Sequence, residues 1–275
     1  MLSELLESVA KDATVSANRL HGLIRVMFKP AIAKGLITIH PMQWIDKPGG
    51  PDSPKKWVLS DEEIRTFWPQ FEKLRSNPLD ILKLGLLTAQ RPGEIMSMRW
   101  EDVDMIKGVW IIRDTKVGND HLVPLSRQVA EILEDRIEYQ AREADRRAKR
   151  YKKPLETYQW VFQSDYNQSR GAEAGHAKST KQARKKLIAE TGLEKWSAHD
   201  LRRSARTIMS RLKIEPHIRE LVLNHSVGKI QATYDVYDYL PEKRQALQKL
   251  ANEIDRIRGA NVATGKVVKL HNTGS

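Results

Sequence analysis

The feature that most limits the possible folds of this chain is a helix-breaking segment near its N-terminal end. Apolar side chains recur at helical intervals over residues 14–36, whereas the next segment, ITIHPMQWIDKPGGPDSP, carries four prolines and two glycines. Soon after it, Ser60 and Glu63 form an S-x-x-E capping box that starts a new helix. We therefore predict a helical part over residues 1–45, a linker over 46–58, a larger domain over 59–258 and a flexible tail over 259–275.

The larger part has mainly helical patterns with one β-element. In GVWIIRDTKVGNDHLVPLS, residues 108–126, two short apolar runs flank the polar turn KVGND, which is typical of a β-hairpin. A further short strand is expected in WVFQS, residues 160–164. The predicted fold class is α+β, mainly α with a small antiparallel sheet or hairpin.

Charge indicates a class of partner. The 275 residues include 47 Lys and Arg against 35 Asp and Glu, a net charge of +12, which favours a polyanion such as nucleic acid. A basic surface that only contacts water would give the same net charge. The basic run READRRAKRYKK, residues 142–153, is likewise either a surface that faces DNA or a solvated helix face.

Two absences narrow the function classes. Without cysteine, disulfides, thiol nucleophiles and cysteine zinc sites are excluded. There is no secretory signal pattern, and no apolar run approaches the roughly 18 residues of a membrane span. We expect a soluble, cytoplasmic protein that does not bind a membrane.

Two basic side chains in separate motifs are candidates for phosphate chemistry. Arg91 follows an apolar helix, with Glu94 three residues on; the two form either a surface ion pair or a guanidinium aimed at a phosphate. Lys116 lies near the tip of the predicted hairpin. It is either an ordinary turn lysine or an ammonium that protonates a leaving oxygen.

The motif WSAHDLRRSARTIMSRL, residues 196–212, is the most informative. Ser197 and Asp200 predict a helix start, so that His199 and Arg202 share one face in the first turn, where the helix dipole favours an anion. They form a candidate phosphate grip with a proton donor or acceptor beside it. The His-Asp dipeptide also suggests an HD-type metal phosphohydrolase, but the sequence offers no convincing set of further ligands.

The segment LNHSVGKIQATYDVYDYL, residues 223–240, holds His225 and three tyrosines. Ile230, Tyr234 and Tyr237 have helical spacing and could simply pack against a core. A helix break after His225 would instead let Tyr234 face the same cleft as that histidine. The tyrosine is therefore either a packing residue or a nucleophile.

Taken in order, these motifs resemble the tyrosine recombinase, or phage integrase, family, of the prophage and genomic-island type. The resemblance covers about residues 59–258 and rests on R-P-G-E at 91–94, T-K and V-P-L between 115 and 125, H-D-L-R-R at 199–203, and H-(x)₈-Y at 225–234.

The first 45 residues and three substitutions also bear on the resemblance. Residues 1–45 resemble the C-terminal part of the helical core-binding domain that precedes the catalytic domain in the family. Because the chain has no room for the family's complete N-terminal domains, we expect a truncated form. Asn224 stands where the family commonly has glycine, and Ala89 and Gln90 replace its usual glycine before the first arginine.

The resemblance implies a site-specific recombinase that cleaves and rejoins DNA through a 3′-phosphotyrosyl intermediate, without metal or cofactor, and so integrates or excises a mobile element. Tyr237 and Tyr239 would be structural. The implied roles are Arg91 and Arg202 at the non-bridging phosphate oxygens, Lys116 as general acid, His199 in proton transfer, His225 as a hydrogen-bond donor to the phosphate, and Tyr234 as nucleophile.

The resemblance also implies partners: double-stranded DNA with attachment sites, a homotetramer on synapsed DNA formed from monomers, and accessory DNA-bending proteins. We further expect the helical segment 241–258 to dock on a neighbouring subunit. A type IB topoisomerase and a DNA-binding protein without chemistry are the alternatives.

Overall fold

A computed structural model describes residues 1–50, 57–74, 77–113, 115, 120–152, 157–164, 175–193, 196–225 and 238–259. The chain divides into two compact units, Met1–Lys56 and Trp57–Ser275. Among the described residues, no helix combines the length and the apolar character that a bilayer crossing needs.

The first unit is helical and has a small apolar cluster, whose buried members are Leu6, Ile24 and Met42. Several of its large apolar side chains face solvent, and Trp44 is 85% exposed. The helices are α1 (Leu2–Asp12), α2 (Thr14–Met27) and α3 (Lys29–Ala33).

The loop after these helices is tied to α2 by Asn18. Its amide donates to the Gly50 carbonyl at 3.1 Å, and its side-chain oxygen accepts from the Gly49 N–H at 2.9 Å. Residues 46–50, which the sequence assigned to a linker, are thus held by the first unit.

The second unit is mostly helical, with two small antiparallel sheets, which confirms the predicted fold class. Its helices are α4 (Asp61–Leu74), α5 (Asn77–Thr88), α6 (Pro92–Met96), α7 (Arg127–Tyr151), α8 (Lys181–Thr191), α9 (Ala198–Arg211), α10 (Pro216–Val222) and α11 (Leu240–Ile257). Its strands are β1 (Val103–Asp104), β2 (Val109–Ile112), β3 (His121–Pro124), β4 (Gln163–Ser164) and β5 (Gly175–His176).

Local sequence signals account for several of these boundaries. The predicted capping box starts α4, because the Glu63 N–H donates to Ser60 Oγ at 3.2 Å and the Ser60 N–H donates to Glu63 Oε2 at 2.7 Å. The predicted hairpin is formed by β2 and β3, with Trp110 opposite Val123. Strand β1 extends this sheet, but two residues are too few to give an alternating pattern in the sequence.

Helix α5 lies in the core, and its C-terminal end leads directly into the candidate site. Leu79, Leu82, Leu84 and Leu87 are all almost fully buried, as expected for a helix enclosed on several sides. It packs against α6, α7, α9 and α11, and it ends at Thr88, three residues before Arg91. The position of Arg91 is thus set by a helix that is buried in the core of the domain.

Helix α11 belongs to the same core. Leu247, Leu250, Ala251 and Ile254 are buried against residues of their own domain. The apolar face of the helix is thus covered by its own domain, and the docking of residues 241–258 on a neighbouring subunit stays a prediction.

Candidate active site

Two turns with left-handed backbone meet in the second unit. After α5 the chain passes through Ala89 (φ 58°), and after α10 it passes through Asn224 (φ 48°). Asparagine tolerates this conformation, whereas alanine pays about 1–2 kcal/mol for it. In both turns the family that this sequence resembles commonly has a glycine, a residue that adopts left-handed backbone without strain. The turns place Arg91 and His225 near each other.

Arg91 is held by a carboxylate and by the opposite turn. It is the N-cap residue of α6, and its N–H donates to Glu94 Oε2 at 3.1 Å. Its Nη1 forms an ion pair with Glu94 Oε1 at 2.8 Å, and its Nη2 donates to the Asn224 carbonyl at 3.4 Å. Its side chain stays 30% exposed, so part of the guanidinium edge faces solvent.

Arg202 is held by backbone carbonyls instead. The residue is 3% exposed, Nη1 donates to the Ala89 carbonyl at 2.8 Å, and Nη2 donates to the Leu223 carbonyl at 2.5 Å. Burial, and then the charge of Arg91, lower the pKa of Arg202 to about 10. The guanidinium nevertheless remains charged at neutral pH.

The two arginines and Gln90 cross-brace the two turns. Arg202 binds the carbonyl that precedes Gln90, and Arg91 binds the carbonyl of Asn224. Gln90 is fully buried, and its amide donates to the carbonyls of Thr88 and Val222, both at 2.8 Å. Each turn is therefore locked to the other by three side chains.

His225 lies at the centre of a further chain of contacts. Its Nε2 is 3.1 Å from Nη2 of Arg202, and its Nδ1 is 2.6 Å from Oε2 of Glu220. Both Nε and Nη2 of Arg206 donate to the other oxygen of Glu220, at 3.0 and 2.6 Å. The imidazole is thus connected to one buried cation and one partly exposed carboxylate.

A buried basic pair lies behind the His225 turn. His121 Nε2 donates to the Val222 carbonyl at 3.2 Å, and Lys243 donates to the Leu122 carbonyl at 3.1 Å. Burial, and then the charge of Lys243, lower the pKa of His121 to about 4. His121 is therefore neutral at physiological pH.

His199 is in the first turn of α9, and Arg202 is in the next turn. Partial burial, and then the charges of Arg203 and Arg202, lower the pKa of His199. Among the described residues its ring nitrogens make no hydrogen bond, so a neutral imidazole can accept a proton there.

The start of α9 differs from the expected anion site. The carboxylate of Asp200 accepts from the N–H of Ser197 at 2.8 Å and pairs with Arg203 at 2.6 Å. A carboxylate already occupies this helix start, so guanidiniums, rather than helix amides, are the groups that can hold a phosphate. Both Asp200 oxygens are engaged in this way, which argues against an HD-type metal site. Within the described part of the chain, no group of three or more His, Asp or Glu side chains could hold a metal ion.

The structure brings together Arg91, Arg202 and His225, with His199 on the same helix as Arg202. Lys116, Tyr234 and Tyr237 lie outside the described residues. Tyr239 is the N-cap residue of α11, and its ring packs edge-on against His217 at 5.8 Å between centroids.

Sequence reasoning missed the side chains that brace the site: Gln90, His121, Arg206, Glu220 and Lys243. Gln90 and His121 bind a backbone carbonyl more than 100 residues away, a relation that no local pattern encodes. The available signal was adjacency, since Gln90 directly precedes Arg91 and Glu220 lies five residues before His225.

Residues 58–239 match the model of the phage integrase family. The chain therefore belongs to the phage integrase family, which confirms the resemblance seen in its motifs.

Two curated relatives come from Escherichia coli. The chain is 25% identical to the prophage integrase IntZ of strain K12 over 267 residues, which are 94% of this chain and 60% of that protein. It is 31% identical to a shufflon-specific DNA recombinase over 135 residues, which are 48% of this chain and 35% of that protein. The chain thus spans about 60% or less of the length of these relatives.

Solved structures share the fold. A lambda integrase dimer bound to a COC′ core site has a TM-score of 0.57 at 16% identity, covering 85% of this chain and 63% of that chain. The Tn1549 transposon integrase in complex with circular intermediate DNA has a TM-score of 0.62 at 16% identity, covering 88% and 82% of the two chains.

Proposed function

We propose that this chain is the catalytic part of a site-specific DNA recombinase that integrates or excises a mobile element. The observation that carries the proposal is the cross-braced cluster of Arg91, Arg202 and His225. Two guanidiniums fixed in one place suit the charge that develops on a phosphate during transfer. Membership of the phage integrase family supports the same reaction class.

In the proposed reaction the phenol oxygen of Tyr234 attacks the scissile phosphorus and the 5′-oxygen leaves. The product is a 3′-phosphotyrosyl bond, and a freed 5′-hydroxyl later reverses the step on a partner strand. Lys116 gives its proton to the leaving 5′-oxygen, and neutral His199 accepts the phenol proton. Arg91 and Arg202 bind the non-bridging oxygens, while His225 donates a hydrogen bond to the phosphate.

The proposed partner is double-stranded DNA carrying attachment sites, and the active assembly is a homotetramer on synapsed DNA. The lambda integrase, which shares the fold, has been solved as a tetramer bound to a Holliday junction. A net charge of +12 supports a DNA partner. We further propose that the free chain is a monomer in the cytoplasm, that residues 1–45 are part of a core-binding domain, and that accessory DNA-bending proteins assist.

Trapping on a nicked suicide substrate tests the proposal. The wild-type chain should form a covalent protein–DNA adduct, and the adduct should form equally well in EDTA because no step uses a metal. Tyr234→Phe should abolish the adduct and leave DNA binding nearly unchanged, since only one oxygen is removed.

Tyr237→Phe and Tyr239→Phe are the matched controls and should retain the adduct. Peptide mapping of the DNA to either of these tyrosines, or an adduct formed by Tyr234→Phe, would overturn the assignment of the nucleophile. Loss of the wild-type adduct in EDTA, with recovery in Mg²⁺ or Mn²⁺, would instead point to metal-dependent chemistry.

A further inference from the structure

Glu220 is placed so that its two carboxylate oxygens have different partners. Oε2 lies 2.6 Å from Nδ1 of His225, whereas Oε1 accepts from Nε and Nη2 of Arg206. The Glu220 side chain is 28% exposed. Because Arg206 holds one oxygen in two hydrogen bonds, the carboxylate cannot rotate freely, and the other oxygen stays directed at the imidazole.

The contacts of His225 define its tautomer. A guanidinium only donates, so Nε2 of His225, 3.1 Å from Nη2 of Arg202, must accept. An ionised carboxylate only accepts, so Nδ1 must carry the proton that Glu220 receives. Partial burial opposes ionisation of Glu220, but hydrogen bonds from Arg206 and His225 lower its pKa overall.

We propose that Glu220 is a positioning residue that fixes His225 in the Nδ1–H tautomer and directs its Nε2 into the candidate active site. The consequence for the reaction rests on the proposed function. Without Glu220, a neutral imidazole is free to carry its proton on either nitrogen and to turn about its side-chain bonds.

The same contact prepares His225 for a phosphate. A phosphate oxygen accepts hydrogen bonds, so Nε2 of His225 must take up a proton from a hydronium ion of the solvent, which leaves as water, before it donates to the phosphate. The resulting imidazolium keeps its Nδ1–H on Glu220, which then supplies the opposite charge at 2.6 Å. Glu220 thus acts on the phosphate through the histidine and does not contact it.

The test combines Glu220→Gln and Glu220→Ala with a matched control, Glu253→Gln. Glu253 also accepts two hydrogen bonds from one arginine, Arg256, at 2.8 and 2.7 Å, but it lies on α11 and none of its described contacts is a histidine. Two readouts are needed: the ¹⁵N chemical shifts of the His225 ring, assigned from their loss in His225→Asn, and the rate of covalent adduct formation on a nicked duplex.

We expect the wild-type and Glu253→Gln proteins to show the Nδ1–H tautomer and the same rate. Glu220→Ala should no longer hold the Nδ1–H tautomer. It should lose about 100-fold in adduct rate, up to the worth of one oxyanion donor, because the imidazolium loses its counter-charge and its orientation; duplex affinity should be unchanged. Glu220→Gln should lose about tenfold, because its amide oxygen still accepts from Nδ1–H but carries no charge. If Glu220→Ala fails to fold, Glu220→Gln still tests the inference.

Retention of the Nδ1–H tautomer and of the wild-type rate in both Glu220 variants would overturn the inference. Failure of the proposed function is a separate outcome: the wild-type chain would then form no covalent adduct. The tautomer measurement on free protein would still decide whether Glu220 fixes the imidazole.

Discussion

Arg91 and Arg202 bring the same guanidinium group to one site from two different surroundings. Arg91 stands at a partly exposed helix start and is aimed by the Glu94 carboxylate at 2.8 Å. Arg202 is buried and is aimed by the carbonyls of Ala89 and Leu223. A partly exposed ion pair adds little to stability, whereas buried carbonyls that accept from a cation make that cation part of the fold.

The largest expected effect is that of Arg202→Lys. An ammonium cannot reach both the Ala89 and the Leu223 carbonyl in the geometry of the guanidinium, so one buried acceptor loses its donor. We expect adduct formation to be lost and the free energy of unfolding to fall by about 1–3 kcal/mol. Urea unfolding and suicide-substrate trapping measure the two effects.

The control for this change is Arg211→Lys, an exposed arginine at the other end of α9 that pairs with Asp61 at 2.7 Å. It should leave both measurements nearly unchanged. Wild-type stability in Arg202→Lys would show that the carbonyl contacts do not support the fold.

Arg91→Lys should separate activity from stability. We expect adduct formation to fall by about 10²–10³, the usual cost of removing one donor to a developing oxyanion. Unfolding free energy should change by no more than about 1 kcal/mol, because the lost pair is partly exposed. The control Arg256→Lys removes a similar i,i+3 pair with Glu253 and should preserve the adduct rate. A large loss of stability in Arg91→Lys would show that Arg91, like Arg202, supports the fold.

The stability of the domain should also depend on pH, because His121 is buried and titrates differently in the folded and unfolded chain. Its pKa falls from 6.5 to about 4 on folding, so between these values the unfolded chain binds a proton that the folded chain does not. The stabilising effect of neutral His121 is complete above pH 6.5 and is lost as pH falls, by about 3 kcal/mol when pH 4 is reached.

Denaturant unfolding of the wild type and His121→Gln between pH 7.5 and about 4 measures this effect, since glutamine can still donate to Val222 but does not titrate in this range. We expect the slope of the stability curve to be smaller in the variant. His40→Gln, in the first unit, should follow the wild type, and parallel curves for all three proteins would refute the assignment.

The smallest expected effect is that of Glu94→Gln. Glutamine at this position preserves the capping box, so we expect the unfolding free energy to change by less than about 1 kcal/mol. The adduct rate should fall by about tenfold or less, because Arg91 keeps its charge and its contact with Asn224. An effect as large as that of Arg91→Lys would mean that Glu94 acts on the substrate directly.

Short sequence patterns correctly predicted the features that depend on interactions between nearby residues. The capping boxes at Ser60 and Ser197 and the pairing of β2 with β3 depend on nearby residues, and all three appear in the structure. The motif order identified Arg91, Arg202 and His225, which the fold does bring together.

The remainder depends on contacts between distant segments. The apolar stripe of α11 specifies a buried face but not which chain covers it, and the structure shows that its own domain does. Similarly, the sequence shows that Gln90 precedes an arginine but not that its amide reaches Val222, 132 residues later. Asp200 was read as one half of a metal motif or a cap, and only its contacts with Ser197 and Arg203 separate the two.

The exposure of Trp44 has an optical consequence. Trp68, Trp110 and Trp196 are each at most 6% exposed, whereas Trp44 is 85% exposed, and all four absorb at the same wavelengths. Fluorescence from Trp44 should therefore lie at the red edge of the emission band and be quenched by acrylamide, while the buried indoles emit further to the blue and resist quenching. A ligand that covers Trp44 should therefore reduce the red, quenchable part of the emission, so its binding can be measured without attaching a label to the protein.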